Sequence, residues 1–101
     1  MATTVVWSKE ALDDIDAIAN YIHRDSPFYA RYLVESLFDL GGSLVDHPWA
    51  GRIVPELNDK QIRERFLYSY RLLYEIQNDK IAILAVIHGR RLLESIEERF
   101  D

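Results

Sequence analysis

Ile81-Ala82-Ile83-Leu84-Ala85-Val86-Ile87-His88-Gly89-Arg90-Arg91 decides the fold of this chain. Seven apolar residues, four of them β-branched, end abruptly in His, Gly and two Arg. A run this short and this β-branched reads as a strand buried on both faces. The polar residues after it lie where that strand surfaces, a common place to build a functional site.

Upstream, Ile62–Tyr68 and Tyr70–Gln77 alternate in character and read as two further strands. The first sets Ile62, Glu64 and Phe66 on one face and Arg63, Arg65 and Leu67 on the other. The second sets Tyr70, Leu72, Tyr74 and Ile76 against Arg71, Leu73, Glu75 and Gln77. Asn78-Asp79 is a hairpin turn signal before Lys80–His88. These three strands form a meander, and the most apolar of them belongs inside the sheet.

The N-terminal half is helical. Thr3–Trp7 is a short β-branched and aromatic strand. Ser8 caps a helix over Lys9–His23, with Ala11, Leu12, Ile15, Ile18, Ala19 and Ile22 as its inner stripe. Asp13, Asp14 and Asp16 fall on the solvated side. Ser26-Pro27 opens a second helix with Pro at its first position. Ala30, Leu33, Leu37, Leu40 and Leu44 mark its core side, and it ends near Asp46 because Pro48 disfavours helix at His47. His23 and His47 then sit at the two helix C-termini. The short connection makes the helices an antiparallel hairpin. Pro48–Lys60 reads as loop, and Leu92–Phe100 as one or two helical turns.

The order β-α-α-β-β-β predicts an α+β domain spanning 1–101, with the helical hairpin packed on one face of a small, mainly antiparallel sheet. The other face is left as the natural binding surface. Gly89 is expected to permit a positive φ before Arg90 and Arg91. Arg71 is expected to meet Glu64 or Glu75 across the sheet, and His88 to bond backbone at the strand end.

Composition narrows the function classes. There is no Cys among the 101 residues, so the fold does not rest on disulfides and a Cys-ligated metal is excluded. His, Asp and Glu show no ligand spacing, so neither metal nor cofactor is expected. No segment approaches the roughly 20 apolar residues of a membrane span, nor is the N-terminus a signal peptide, so a cytoplasmic protein is expected. The net charge is −5, but residues 52–91 carry eight Lys/Arg against five Asp/Glu. An acidic body with a basic sheet region is a poor general binder of nucleic acid, although a local patch is compatible with it.

Three stretches in order resemble the RelE/ParE superfamily of toxins from type II toxin–antitoxin pairs. They are Ser8-Lys9-Glu10-Ala11-Leu12-Asp13-Asp14-Ile15, then Ile62-Arg63-Glu64-Arg65 with Tyr70-Arg71-Leu72-Leu73-Tyr74-Glu75-Ile76, and finally Ile83–Arg91. The resemblance implies a cognate antitoxin as partner, and one of two activities. RelE-like members cut messenger RNA on the ribosome. That reading would use Arg63, Arg65, Arg71, His88 and Arg91 as a catalytic set. Arginine does not deprotonate near neutral pH, so only His88 is suited to shuttle a proton. RelE-like toxins usually have lysines where Arg63 and Arg65 stand, and their C-terminal tyrosine is missing here. ParE-like members poison DNA gyrase by binding, and need no catalytic constellation. The hairpin, the Ile87-His88-Gly89-Arg90 end and the apolar spacing Leu92, Leu93, Ile96, Phe100 favour this branch, with His88, Arg90 and Arg91 as target contacts. A third reading is a relic that binds antitoxin without being toxic.

Overall fold

The computed structural model describes residues 4–91 and 97–100. Its elements run β1 (Thr4–Trp7), α1 (Lys9–His23), α2 (Pro27–Ser43), β2 (Arg52–Ile53), β3 (Ile62–Leu67), β4 (Tyr70–Ile76) and β5 (Lys80–His88), followed by a 3-10 turn over Glu97–Phe100. The sheet order is β1-β5-β4-β3-β2, so the apolar β5 is interior, as its composition requires. β1 joins it in parallel and the other neighbours are antiparallel. Thr3, Leu92, Leu93 and Ile96 lie outside the described residues.

Both helices start where their caps dictate. The Ser8 hydroxyl accepts from Ala11 N at 3.0 Å, and the Ser26 hydroxyl from Tyr29 N at 3.1 Å. Each satisfies an amide that the first turn would otherwise leave open. α2 ends at Ser43, three residues before the expected Asp46, because Gly41-Gly42 weakens its last turn. His47 therefore lies beyond the helix, not at its C-terminus. Within the stretch expected to be loop, Arg52–Ile53 pairs with Glu64 and Arg63 as an edge strand.

The hairpin packs on one face through Ala11, Ile15, Leu33, Leu37 and Leu44, against Leu72, Tyr74, Ile81, Ile83 and Val86. A bulge makes this pattern possible. Leu73 pairs with Ala85 but Tyr74 pairs with Ile83, so Leu84 is the extra residue. The shift turns both Ile83 and Val86 toward the helices although they are three apart.

Trp7 lies in the gap between β1 and α2. Its ring meets Phe38 at 4.7 Å, and a Cβ on Gly41 would run into the indole. Gly41→Ala should therefore destabilise the fold by about 1–3 kcal/mol through overpacking, although Ala is the better helix former. A urea midpoint at or above wild type would contradict it.

The opposite face is not the open surface expected. Val54, Leu57 and Phe100 pack over Ile62, Leu73, Ala85 and Ile87. The segment after β2 and the C-terminal turn cover the middle of the sheet, because that face also carries apolar side chains that gain by leaving water.

Candidate functional site

Cross-strand register decides which of the basic residues can act together. Arg63 pairs with Tyr74 and Arg65 with Leu72, so both arginines point to the helix side. His88 pairs with Tyr70 and shares that side. Arg71 pairs with Phe66 and Ile87 and points the other way. The five residues of the ribonuclease reading are thus divided between the two faces.

Arg71 is 3% exposed. Its Nε donates to Glu64 Oε1 at 2.7 Å, and its two Nη groups reach the Glu56 carboxylate at 3.0 Å each. Glu64, 1% exposed, also accepts from Arg52 Nε. Burial alone would lower the Arg71 pKa, but hydrogen bonds and charge from Glu56 and Glu64 raise it above the ordinary value. The expected partner was Glu64 or Glu75. The structure selects Glu64 and adds Glu56, which the loop after β2 delivers across 15 residues of chain.

Hydrogen bonding to Arg71 holds the Glu56 carboxyl below the usual range. A depressed carboxylate pKa stabilises the fold above its unfolded value, and that stability is lost as pH falls through the folded one. Glu56→Gln should therefore lower the melting temperature at pH 7, and the gap to wild type should narrow as pH falls below the ordinary carboxyl value of about 4.5. A gap independent of pH would contradict the pairing.

Arg63 is also committed. It donates to Lys60 O at 3.0 Å and Gly51 O at 3.1 Å, and its guanidinium stands 4.9 Å from the Trp49 ring centroid. Beside it, the Tyr74 hydroxyl donates to Pro48 O at 2.7 Å and accepts from Gly51 N at 3.0 Å. These bonds pin residues 48–51 to the sheet.

The end of β5 has different properties. His88 is exposed, and its ring stands edge-on to Tyr70 at 5.8 Å. Its Nδ1 accepts from Arg90 N at 3.2 Å, so the expected backbone bond is present. This places the neutral imidazole's proton on Nε2. Gly89 has no positive φ. It continues the strand ladder by donating to Ser69 O at 2.7 Å, and a Cβ there would lie 3.2 Å from that oxygen. Space, not a left-handed backbone, is what the position requires. Arg90 and Arg91 are exposed. Beside them, Asp14, Ile18, Tyr21, Tyr70, His88 and Arg91 contribute to a groove of about 400 Å³ between α1 and β5.

Asp14 is not on the solvated side. Its carboxylate accepts from Val86 N at 2.9 Å and binds Arg99 Nη1 at 2.7 Å. β1 ends at Trp7, paired with Ile83, so the β5 edge beyond it is unpaired. Asp14 supplies there the acceptor that a neighbouring strand would have supplied. Helical periodicity alone could not reveal this, because the unmatched amide lies 72 residues away.

Among the described residues no group of three or more His, Asp or Glu could hold a metal ion, and no helix is long and apolar enough to cross a membrane.

Comparison with known proteins agrees with this architecture. The family model of the ParE toxin of the type II toxin–antitoxin system parDE matches residues 5–93. Toxin RelE2 of Caulobacter vibrioides is 30% identical over 89 residues, covering 87% of this chain and 97% of that protein. A solved chain of the chromosomal ParDE toxin–antitoxin system from P. aeruginosa superposes with a TM-score of 0.69 at 23% identity, covering 87% of this chain and 96% of that one.

Proposed function

We propose that this chain, which belongs to the ParE toxin family of type II toxin–antitoxin systems, arrests growth by binding DNA gyrase rather than by catalysis. As a toxin of such a pair it has a cognate antitoxin as its partner, by membership of the superfamily. The proposal places it in the cytoplasm, where toxin, antitoxin and gyrase meet.

One observation carries the choice of mechanism. Cleavage of RNA by attack of a 2′-hydroxyl needs its cations and its proton shuttle assembled around one phosphate. Of the arginines in the ribonuclease set, Arg71 is buried between Glu64 and Glu56 on the face opposite His88, and Arg63 is held by Lys60 O and Gly51 O, so the five residues do not converge on one site. His88, Arg90 and Arg91 remain as exposed groups at the rim of the sheet, an arrangement suited to contact with a macromolecule. They are the proposed target contacts.

The test is a gyrase supercoiling and cleavage assay with folded toxin freed of antitoxin. Lost supercoiling or trapped cleavage complexes is the expected result. Intact supercoiling at excess toxin overturns the reading and turns the question to translating ribosomes, since a 30% identical relative is named RelE2. There His88→Ala would be the informative variant, because Arg71→Ala also breaks the buried ion network. Growth arrest on induction without antitoxin would rule out a non-toxic relic.

A further inference from the structure

His88 is exposed, yet its ring has little freedom. The three amides that follow it all serve the turn that carries it. Gly89 N donates to Ser69 O at 2.7 Å, Arg90 N to His88 Nδ1 at 3.2 Å and Arg91 N to His88 O at 2.9 Å. The first of these extends the β4–β5 ladder past His88, so the ring is mounted on sheet and not on a loop. Tyr70, the cross-strand partner of His88, meets the imidazole edge-to-face with ring centroids 5.8 Å apart.

Stability does not account for this ordering. His88 belongs to neither apolar cluster of the sheet, and fixing an exposed side chain costs conformational entropy. The Arg90 bond also selects one chemical form. A nitrogen that accepts cannot carry the proton, so Nδ1 is bare and Nε2 is the N–H. Protonation would set a hydrogen on Nδ1 against the Arg90 N–H and break that bond, so the held ring is the neutral one. Nε2 makes no hydrogen bond among the described residues, which leaves it as the ring nitrogen open to a partner.

The polar groups around the ring keep their charge while an imidazole titrates. Among the described residues, α1 contributes Asp14 and Tyr21, β4 contributes Tyr70, the β3–β4 turn contributes Tyr68, and Arg90 and Arg91 follow His88. Asp14 is ion-paired to Arg99. Burial raises the Tyr70 hydroxyl and the bond to Tyr32 raises the Tyr68 hydroxyl above the ordinary value. Tyrosine and arginine hold one charge state between about pH 5.5 and 8, and imidazole is the group that changes within that range.

We infer that His88 meets its target as a neutral hydrogen-bond donor, aimed by Tyr70 and by the Arg90 amide, and that the complementary group on gyrase is an acceptor oxygen facing Nε2. The inference rests on the gyrase reading above. Tyr70 is then a positioning residue, and the donor sets specificity, because a surface with no acceptor at this point would bury an unpaired N–H. A neutral donor also costs less to remove from water than an imidazolium.

The test measures half-inhibition of gyrase supercoiling by toxin freed of antitoxin, with the melting temperature of each variant as the check on folding. A glutamine amide reaches the place of Nε2, and an asparagine amide only that of Nδ1. At about pH 8, His88→Asn should raise the toxin needed about tenfold or more, and His88→Gln less than about threefold. Tyr70→Leu should raise it about fivefold, and Tyr70→Phe, which keeps the ring, should restore it. Between about pH 8 and about pH 5.5, wild type should weaken about threefold relative to His88→Gln, which carries the pH dependence of gyrase itself. Imidazole nitrogen chemical shifts of the free toxin should show Nδ1 unprotonated at the higher pH. A mixture of tautomers there overturns the positioning, and so does His88→Asn inhibiting as well as His88→Gln. Inhibition that holds or strengthens at low pH overturns the neutral donor. If neither His88 variant changes inhibition, the residue leaves the interface and the gyrase reading stands. Wild-type toxin that never inhibits gyrase removes both readings together.

Discussion

Glu64→Ala should unfold this protein more readily than any exposed substitution, with a loss of about 3–5 kcal/mol. Glu64 is 1% exposed and is the common partner of Arg52 and Arg71. Removing it leaves the Arg71 guanidinium, 3% exposed, with Glu56 alone. The cost is that of a buried charge stripped of a partner, not the worth of one surface pair. For a domain of this size, a melting temperature about 15 °C or more below wild type is expected. A control separates charge from packing. Glu64→Leu combined with Arg71→Met replaces the pair by apolar groups beside Leu73 and Ile87 and should recover much of the loss. A single variant within about 1 kcal/mol of wild type would refute the account, because that is what an exposed pair contributes.

Asp14→Ala should cost about 2–3 kcal/mol, the largest effect expected from any acidic residue of α1. Two groups lose their partner at once, the Val86 amide on the unpaired edge of β5 and the Arg99 guanidinium. Asp14→Asn keeps an acceptor for Val86 N but loses the charge that holds Arg99, so it should fall between Ala and wild type. The neighbouring Asp13→Ala is the internal comparison. Among the described residues Asp13 pairs with the exposed Lys9 across one helical turn, and its loss should cost less than about 0.5 kcal/mol. Equal effects at positions 13 and 14 would show that the edge contact carries no stability. Amide exchange at Val86 supplies a direct readout, since it should accelerate in Asp14→Ala and not in Asp13→Ala.

The linear pattern conceals the role of Asp14 and shows that of Glu64 only in part. Asp14 sits among Asp13 and Asp16 in an acidic run and looks like one more solvated carboxylate. Its distinction is that α1 crosses β5 where β1 has stopped. Glu64 alternates correctly with Ile62 and Phe66, so its face was legible, but the second acid on that face, Glu56, arrives from the loop after β2. The same loop, with Phe100, explains why the sheet is covered on its second side. The β2 edge strand was missed for a related reason. Two residues carry no periodicity, and their pairing with β3 is a property of the folded sheet.

What the chain determined by itself is the set of longer elements and their order. The 3.6-residue stripes of α1 and α2, their Ser caps, the alternation of β3 and β4 and the apolar run of β5 are all local signals. Each is set by neighbours within a turn or two of chain. The α+β class, the hairpin against the sheet and the resemblance to RelE/ParE toxins follow from them. The tertiary structure alone decided how the polar groups are spent. It buried Arg71 between two glutamates, turned Asp14 into an edge cap and brought Tyr21 of α1 and Tyr68 and Tyr70 of the β3–β4 hairpin beside His88. These outcomes depend on contacts between residues as many as 85 positions apart. Burial and neighbouring charge, which govern what a polar side chain can do, are properties of such contacts and leave no periodic trace along the chain.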